Sequence, residues 1–183
     1  FPRYQIGESL LPANMPLFAK LGVAEEIERV GMEKWGATFV SPTHDRISGF
    51  QFADATDASM PMAYQVRRSE FDEILFRRAQ RVVMEARENC RVRDVEVGDR
   101  KTPPRVLATD RDGTTHEWRP KFVVDATGRD TFIASKMKIK RRNPEHNSSA
   151  MYGHFRNAVR DCGKAEGNII ILWFDHGWYW YIP

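Results

Sequence analysis

The hydrophobic residues of two stretches recur at the spacing of an α-helix. In residues 7–31 they follow a turn and predict short helical pieces, while residues 67–89 carry the clearest helical pattern of the chain. Ser69 stands where an N-cap would lie, with Asp72 three positions later as its acidic partner. We therefore expect one long amphipathic helix that Ser69 caps and whose charged residues face solvent.

Shorter runs with alternating or continuous apolar residues predict strands elsewhere. Residues 37–54 indicate two strands joined by a polar turn at residues 43–45, and residues 90–120 indicate an antiparallel set of short strands. Residues 151–159 and 168–174 are further strand candidates. Helices interspersed with strands in this way indicate an α/β fold of the mixed, α+β kind.

Residues 122–124 differ from the other strand candidates because they form an unbroken apolar run. Such a run is typical of a parallel strand buried on both faces, and this one leads directly into Asp125, Ala126, Thr127 and Gly128. We therefore expect a buried strand that ends in a tight glycine turn, where α/β folds commonly bind nucleotides.

The last predicted strand is dominated by aromatic residues. Because successive side chains of a strand point to opposite faces, Trp178, Trp180 and Ile182 should share one face, while Tyr179 and Tyr181 should share the other. Two indoles side by side are suited to a rigid apolar wall, although simple packing in a core is the alternative.

Composition and charge favour a globular domain over a membrane protein or a nucleic-acid-binding protein. The 183 residues are 42% hydrophobic and 29% charged, which is typical of a soluble globular domain. A net charge of +3 does not indicate nucleic-acid binding, and no apolar run reaches the roughly 20 residues of a membrane helix. Cys90 and Cys162 form neither a zinc pattern nor a disulfide framework, so we expect a cytoplasmic protein.

Known catalytic and metal-binding motifs do not occur in the chain. There is no Gly-x-Ser-x-Gly, no His-Glu-x-x-His and no P-loop, and the five histidines lack ligand spacing. The remaining candidates are residues suited to a nucleotide cofactor. Gly7 allows close backbone approach and Glu8 is a polar anchor, while Arg67 or Arg68 can reach a phosphate at a helix start.

These stretches occur in an order that resembles the FAD-dependent monooxygenase superfamily. The similarity lies in GESLLP, GMEKWGATFV, VRRSEFDEIL and VVDATGRDT, and the superfamily includes aromatic hydroxylases, geranylgeranyl-reductase-like proteins and flavin-dependent halogenases. The halogenase branch is indicated by Trp178-x-Trp180-x-Ile182-Pro183, which is similar to that family's WxWxIP motif. The resemblance implies a Rossmann-like FAD-binding domain with a β-meander, joined to part of an antiparallel-sheet substrate domain.

The resemblance also implies domain boundaries. Residues 1–35 and 67–135 would belong to the FAD-binding domain, and residues 36–66 and 136–183 to the substrate domain. The Gly-x-Gly-x-x-Gly fingerprint and the later Gly-Asp stretch of the family do not occur. We therefore expect an internal piece of a longer protein, truncated at both ends, which would be inactive and would bind FAD poorly on its own.

The activity that the resemblance implies is halogenation of an electron-rich aromatic substrate. Reduced FAD, supplied by a separate flavin reductase, would form a hydroperoxide with oxygen that oxidises a chloride or bromide ion. Trp178 and Trp180 would then separate the flavin from the substrate. Lys34, at the matching position, would handle the hypohalous acid through a hydrogen bond or a chloramine, and partial burial would lower its pKa.

The basic residues of 136–146 have two interpretations. They can form a solvated loop, or they can form a docking patch for an acidic partner such as a carrier protein that holds the substrate.

Two other functions fit parts of the sequence. In an FAD-dependent hydroxylase or a geranylgeranyl-reductase-like enzyme, Lys34 would be incidental and the two tryptophans would shape an aromatic or lipid pocket. A non-enzymatic α/β interaction module would use none of the cofactor-like residues. Trp35, next to Lys34, is explained by none of these hypotheses.

Overall fold

The computed structural model describes residues 3–146 and 148–183, which form helices and strands in mixed order. This mixture confirms the predicted α/β fold class. The helices are α1 (Met15–Leu21), α2 (Ala24–Val30), α3 (Arg68–Val82) and α4 (Phe132–Lys136). The strands are β1 (Met32–Lys34), β2 (Gly36–Ser41), β3 (Arg46–Gln51), β4 (Ala63–Gln65), β5 (Arg91–Glu96), β6 (Arg105–Thr109), β7 (Thr115–Trp118), β8 (Ile169–Phe174) and β9 (Gly177–Tyr181).

The chain divides into two compact units. The first unit is Phe1–Ala86 with Phe155–Pro183, and the second is Arg87–His154. The first unit contains a two-stranded antiparallel sheet, β1-β4, and a four-stranded sheet in the order β3-β2-β8-β9. In the larger sheet β2 and β8 are parallel, whereas β3 and β9 lie antiparallel to their neighbours.

The apolar faces of α1, α2 and α3 meet in the core of the first unit. Phe18, Val23, Ile27, Val66 and Phe71 are buried together, and the rings of Phe18 and Phe71 meet edge to face with centroids 5.6 Å apart. The helical pieces predicted in residues 7–31 and the long helix after them are present, and Phe18 and Phe71 of their predicted apolar faces lie in this core.

The predicted start and end of the long helix were wrong. The helix begins at Arg68, so Ser69 lies inside its first turn, and no side chain caps the N-terminus. An ion pair between Arg68 and Asp72, 2.7 Å long, instead fastens this turn. The helix ends at Val82, which is 60% exposed, so the apolar contacts that would extend it towards residue 89 are missing.

Two strand predictions were confirmed in the first unit. β2 and β3 form a hairpin around the short 3₁₀ turn Pro42–His44, as the polar turn predicted. β8 and β9 form a second hairpin that pairs Trp173 with Trp178 and Ile171 with Trp180.

The second unit is built on the predicted antiparallel meander. Its strands are ordered β5-β6-β7, and Val95 and Ala108 are buried within it. The short helix α4 follows, and its last residue, Lys136, donates a hydrogen bond to the main-chain carbonyl of Val95 and pairs with Asp94.

Two other strand predictions were wrong. Residues 122–124 form no strand, and Phe122 and Val124 are 86% and 87% exposed rather than buried. Residues 151–159 are also irregular. The physical reason is pairing, because a parallel strand needs a neighbour for its backbone groups, and no described strand pairs with either stretch.

Within residues 3–146 and 148–183, every helix is too short or too polar to cross a lipid bilayer.

Candidate active site

Lys34 is the most unusual charged residue of the first unit. It ends β1, its side chain is only 1% exposed, and it lies opposite Ala63, which is fully buried. Its ammonium donates hydrogen bonds to the Ser9 hydroxyl, at 2.8 Å, and to the main-chain carbonyl of Leu10. The ring of Phe52 lies beneath it, with the centroid 5.4 Å from Nζ. The amine predicted from sequence is therefore held inside the fold.

Burial changes the acid–base chemistry of this amine. Removing the ammonium from water lowers the pKa of Lys34 from 10.5 to about 8. A lysine with this pKa has about a tenth of its population as free amine at pH 7, whereas an exposed lysine has almost none. The amine is therefore able to act as a hydrogen-bond donor in one protonation state and as a nucleophile in the other.

Residues 8–10 supply the acceptors for Lys34 because they run alongside β4. The Leu10 N–H donates to the carbonyl of Tyr64 at 3.0 Å, and the Val66 N–H donates to the carbonyl of Glu8 at 2.8 Å. Between these two bonds Ser9 faces Gln65 as an isolated antiparallel bridge.

A distant segment fixes the backbone next to Lys34. The buried side-chain oxygen of Asn168 accepts the main-chain N–H groups of Trp35, at 2.9 Å, and Gly36, at 2.8 Å. The preceding residue, Gly167, packs so closely that a Cβ atom there would lie 1.9 Å from the carbonyl oxygen of Glu33. Sequence reasoning missed both residues, although a buried Gly-Asn pair before an apolar strand is a recognisable turn signal.

Trp35 projects away from Lys34, as the next residue along an extended chain must. Its indole N–H donates to the carboxylate of Glu33 at 3.1 Å, and the ammonium of Lys164 lies 4.3 Å from its ring centroid. The Trp35 side chain therefore lies on the side of this segment opposite to the Lys34 side chain.

The two tryptophans of β9 share one face, as predicted. The ring centroids of Trp178 and Trp180 are 5.8 Å apart, and the residues are 57% and 43% exposed. The opposite face carries Tyr179 against Phe174, with ring centroids 5.5 Å apart, and Tyr181, whose hydroxyl donates to the carbonyl of Val159 at 2.8 Å. The pair is thus displayed on the sheet surface rather than packed into the core.

Lys34 and the tryptophans belong to different sheets, but a row of rings runs between them. From the Lys34 ammonium the row passes to Phe52, then Phe50 at 5.9 Å, Phe39 at 6.1 Å and Trp173 at 5.9 Å between centroids. Trp173 pairs across the strand boundary with the first tryptophan of β9. The face between the amine and the indoles is therefore aromatic along its length.

The candidate cofactor residues of the first unit lie at the start of α3. Arg68 donates to the carbonyl of Ile6 at 2.8 Å while it pairs with Asp72, so its guanidinium holds the loop at Gly7. Gly7 has a φ of +101°, a conformation that favours glycine. The Arg67 side chain is 80% exposed and pairs loosely with Glu70 at 3.6 Å. Arg67 is the better placed of the two arginines to meet an anion.

The candidate residues of the second unit form an exposed turn. Asp125 accepts both the N–H and the hydroxyl of Thr127, at 3.0 and 2.6 Å, and the N–H of Ile133 at 2.8 Å. The Thr127 hydroxyl is the main cause of a lowered pKa of the Asp125 carboxyl. Ala126 lies inside this turn and Gly128, with a φ of +64°, closes it. The Asp125 carboxylate therefore stabilises the turn through hydrogen bonds to residues of the turn and of the helix that follows.

Comparison with known proteins identifies relatives along the whole chain. A family model described as an FAD binding domain matches residues 7–175. A brominase of 1H-pyrrole-2-carbonyl-peptidyl-carrier protein from Pseudoalteromonas luteoviolacea is 30% identical over 186 residues, covering 100% of this chain and 44% of the relative.

Solved structures agree with this result. The myxobacterial chondrochloren halogenase CndH superposes with a TM-score of 0.80 at 32% identity, covering 100% of this chain and 42% of that one. A flavoprotein/dehydrogenase from Cytophaga hutchinsonii gives a TM-score of 0.80 at 25% identity, covering 100% of this chain and 44% of that one. The chain spans less than half the length of each of these proteins. It belongs to the FAD binding domain family, and the resemblance to flavin-dependent halogenases that its motifs predicted is confirmed.

Proposed function

We propose that the native full-length protein containing this chain is an FAD-dependent halogenase of an electron-rich aromatic substrate. The burial of the Lys34 amine, 1% exposed and hydrogen-bonded to Ser9 and Leu10, is the observation that carries this proposal. Halogen transfer needs an amine that can bind or capture an electrophilic halogen, and an exposed, fully charged lysine would do this poorly.

The residues at the start of α3 fit the phosphates of FAD. The helix begins without a side-chain cap, which leaves first-turn N–H groups for an anion, and Arg67 is exposed beside them. Gly7 and Glu8 precede the strand-like segment that reaches Lys34. In the second unit, Asp125, Ala126, Thr127 and Gly128 form the turn proposed to contact the cofactor. Bound FAD, reduced by a separate reductase, would supply the electrons that reduce oxygen to the peroxide level, and that peroxide-level oxygen would be the oxidant of the halide.

Lys34 would hold the oxidised halogen. As an ammonium it would donate a hydrogen bond to the oxygen of hypohalous acid. As a free amine it would attack the halogen, forming an N–halogen bond while hydroxide leaves and takes a proton from the amine as water. The N–halogen bond would then break as the aromatic carbon bonds the halogen, and the proton lost from that carbon would restore the amine. Both routes need a lysine that is shielded from bulk water, as Lys34 is.

Trp178 and Trp180 would cover the sheet face that continues the row of rings from Lys34. Their indoles are large and rigid, so they can separate cofactor from substrate at a small entropic cost. Their exposure in the first unit supports this role, because both indoles are accessible on the face of the sheet.

The substrate would be a phenol, a pyrrole or a similar ring, either free or tethered to a carrier protein. The related brominase acts, by its name, on a pyrrole carried by a peptidyl-carrier protein. Residues 136–146 would then receive the acidic carrier, because Lys138 and Arg141 are exposed there. Replacing both with Glu should lower kcat/KM for the tethered substrate and leave the free substrate unaffected.

The decisive experiment uses the native full-length protein with reduced FAD, oxygen and bromide, and a phenol panel analysed by mass spectrometry. We expect bromination in the wild type and a loss of at least 100-fold in Lys34→Ala, while flavin oxidation continues. Lys20→Ala, at an exposed lysine of α1, is the matched control and should brominate normally.

Oxygenated product that forms without any dependence on bromide would overturn the halogenase proposal in favour of an aromatic hydroxylase. Normal bromination by Lys34→Ala would remove Lys34 from the mechanism.

The pH dependence separates the two roles of Lys34. If the free amine captures the halogen, the rate should rise with pH to a plateau above about 8. If the ammonium acts as donor, the rate should fall over the same range.

A further inference from the structure

Gln65 carries an unexplained polar atom beside the candidate site. The residue ends β4 and is 5% exposed, yet its side-chain oxygen is buried without a hydrogen-bond partner among the described residues. Leaving a buried acceptor unpaired costs about 1–3 kcal/mol, so such an atom usually has a partner in some working state of the protein.

The orientation of this amide is fixed by its other end. The Gln65 nitrogen donates to the main-chain carbonyl of Gly167 at 2.9 Å. The reverse orientation would place the amide oxygen against that carbonyl oxygen, which is repulsive. The unpaired atom is therefore the oxygen, a hydrogen-bond acceptor.

The Gln65 side chain lies next to the acceptors of Lys34. Ser9 and Gln65 face each other between the hydrogen bonds from Leu10 to Tyr64 and from Val66 to Glu8. Opposed residues in such a non-hydrogen-bonded pair have the closest side chains of an antiparallel ladder. The Ser9 hydroxyl in turn lies 2.8 Å from the Lys34 ammonium.

The ammonium has a donor to spare. It carries three N–H groups, of which one meets the Ser9 hydroxyl and another the Leu10 carbonyl. Lys34 and Gln65 also occupy diagonal positions on one face of the β1-β4 pair, since Lys34 pairs with Ala63 and Met32 with Gln65. Diagonal residues are about 7–8 Å apart at the backbone, within reach of two long side chains.

We propose that Gln65 is a positioning residue for Lys34: already in the free protein, the ammonium exchanges between the Leu10 carbonyl and the Gln65 carboxamide oxygen, and it meets its ligand from the second position. Gln65 would thus guide the amine between a resting and a working position. The ligand in this statement rests on the proposed halogenase function, whereas the contact between the two side chains does not.

The charged groups near Lys34 do not offer it a competing partner on this face. Glu33 and Tyr64 lie at the alternate positions of β1 and β4, and Glu8 lies at the alternate position beside Ser9. Phe52 contributes a ring only. The lowered pKa of Lys34 has burial as its cause, with no contribution from a carboxylate.

The test measures the titration of Lys34 in the native full-length protein. Lysines are acetylated competitively with acetic anhydride across a pH series, and peptide mass spectrometry gives the midpoint for each lysine. Gln65→Met should lower the Lys34 midpoint, because the second acceptor position of the charged form is lost. Two equally populated positions correspond to a shift of about 0.3 pH unit, a twofold change in the ammonium-to-amine ratio. Gln65→Glu should raise the midpoint, because a carboxylate then faces the ammonium.

The two variants separate positioning from folding. Neither can donate to the Gly167 carbonyl, so a purely structural role for Gln65 would move both midpoints in the same direction. If Gln65→Glu fails to fold, Gln65→Asn, which keeps a shortened amide, should give a midpoint between wild type and Gln65→Met. Gln80→Met, on the exposed side of α3, is the matched control and should leave the midpoint unchanged.

An unchanged Lys34 midpoint in Gln65→Met would overturn the inference even if the wild type brominates phenols. If the Lys34 midpoint shifts in Gln65→Met but the wild-type protein brominates no substrate, the contact would be supported and the halogenase proposal would be overturned. If the contact and the halogenase activity are both found, Gln65→Met should also lower the yield of brominated product per flavin oxidised. The bromination assay with the phenol panel measures this yield.

Discussion

The Lys34 region and the tryptophan strand were expected to serve one reaction, but they are built in opposite ways. Lys34 is 1% exposed, its ammonium is hydrogen-bonded to Ser9 and Leu10, and the backbone that follows it is bonded to Asn168. Trp178 and Trp180 are about half exposed and held mainly by their strand pairing with β8. The charged group, Lys34, thus lies in the tightly packed interior, whereas the apolar indoles lie on an exposed face of the sheet.

This difference has a physical basis. A buried amine is costly, so it has to find hydrogen-bond acceptors in every position that it occupies. An indole on a sheet surface costs little and keeps its shape through its own rigid ring system. Substitutions near the amine should therefore act mainly on stability and pKa, whereas those at the tryptophans should act mainly on product partition.

Among substitutions in these two regions, Asn168→Ala is expected to change the free energy of unfolding most. The change leaves the buried N–H groups of Trp35 and Gly36 without their acceptor, which should lower the free energy of unfolding by about 3 kcal/mol. Urea denaturation of the native protein gives the value. Asn143→Ala, in an exposed turn, should cost less than about 1 kcal/mol.

Arg68→Ala should be the next most damaging change. It removes the closer of the two arginine partners of Asp72, which is 8% exposed, and the hydrogen bond to the Ile6 carbonyl, so we expect a loss of about 2 kcal/mol. Arg67→Ala, at the exposed neighbour, should stay within about 0.5 kcal/mol but weaken FAD binding, as measured by flavin fluorescence titration. Equal stability losses in both variants would contradict the separate roles given to them.

Lys34→Met should stabilise the fold while it abolishes the proposed activity. The drop in the Lys34 pKa from 10.5 to about 8 corresponds to roughly 3 kcal/mol of burial cost below pH 8, part of which the two lost hydrogen bonds offset. We therefore expect a gain of about 1–2 kcal/mol at pH 7 by chemical denaturation.

This gain should depend on pH with a defined sign. Between pH 8 and 10.5 the unfolded lysine still binds a proton that the folded lysine has released, so wild-type stability rises with pH. The advantage of Lys34→Met should therefore shrink over this interval and be lost above pH 10.5. An advantage that grows with pH would show that Lys34 is stabilised by its charge rather than penalised for it.

The smallest stability effect is expected at the tryptophans. Trp178→Phe and Trp180→Phe replace half-exposed rings by smaller rings, so each should change the free energy of unfolding by less than about 1 kcal/mol. The ratio of halogenated product to oxygen consumed should nevertheless fall, as measured by mass spectrometry and an oxygen electrode. Unfolding of β9 in either variant would instead assign the indoles to packing.

Local patterns predicted much of this architecture. The helical spacing around Phe18 and Phe71, the meander and the shared face of Trp178 and Trp180 all follow from periodicity, which depends on near neighbours in the chain. The burial of Lys34 was expected from its place in a family motif rather than from any local signal.

The remaining features depend on contacts that periodicity does not encode. Gln65 and Asn168 support the candidate site through partners 102 and 133 residues away. Residues 122–124 have the composition of a buried strand, but composition does not supply the neighbouring strand that would pair with them. The domain assignment of 1–35, 36–66, 67–135 and 136–183 stays a prediction for the same reason.

The bond from Asn168 to the backbone beside Lys34 also has a consequence for synthesis of the protein. At 5–20 residues per second, a ribosome needs on the order of ten seconds to add the 133 residues that separate Asn168 from Trp35. Until then the main-chain N–H groups of Trp35 and Gly36 lack the side-chain oxygen that accepts them. The backbone that follows the lysine is therefore expected to take its final form late, when Asn168 has emerged and docked.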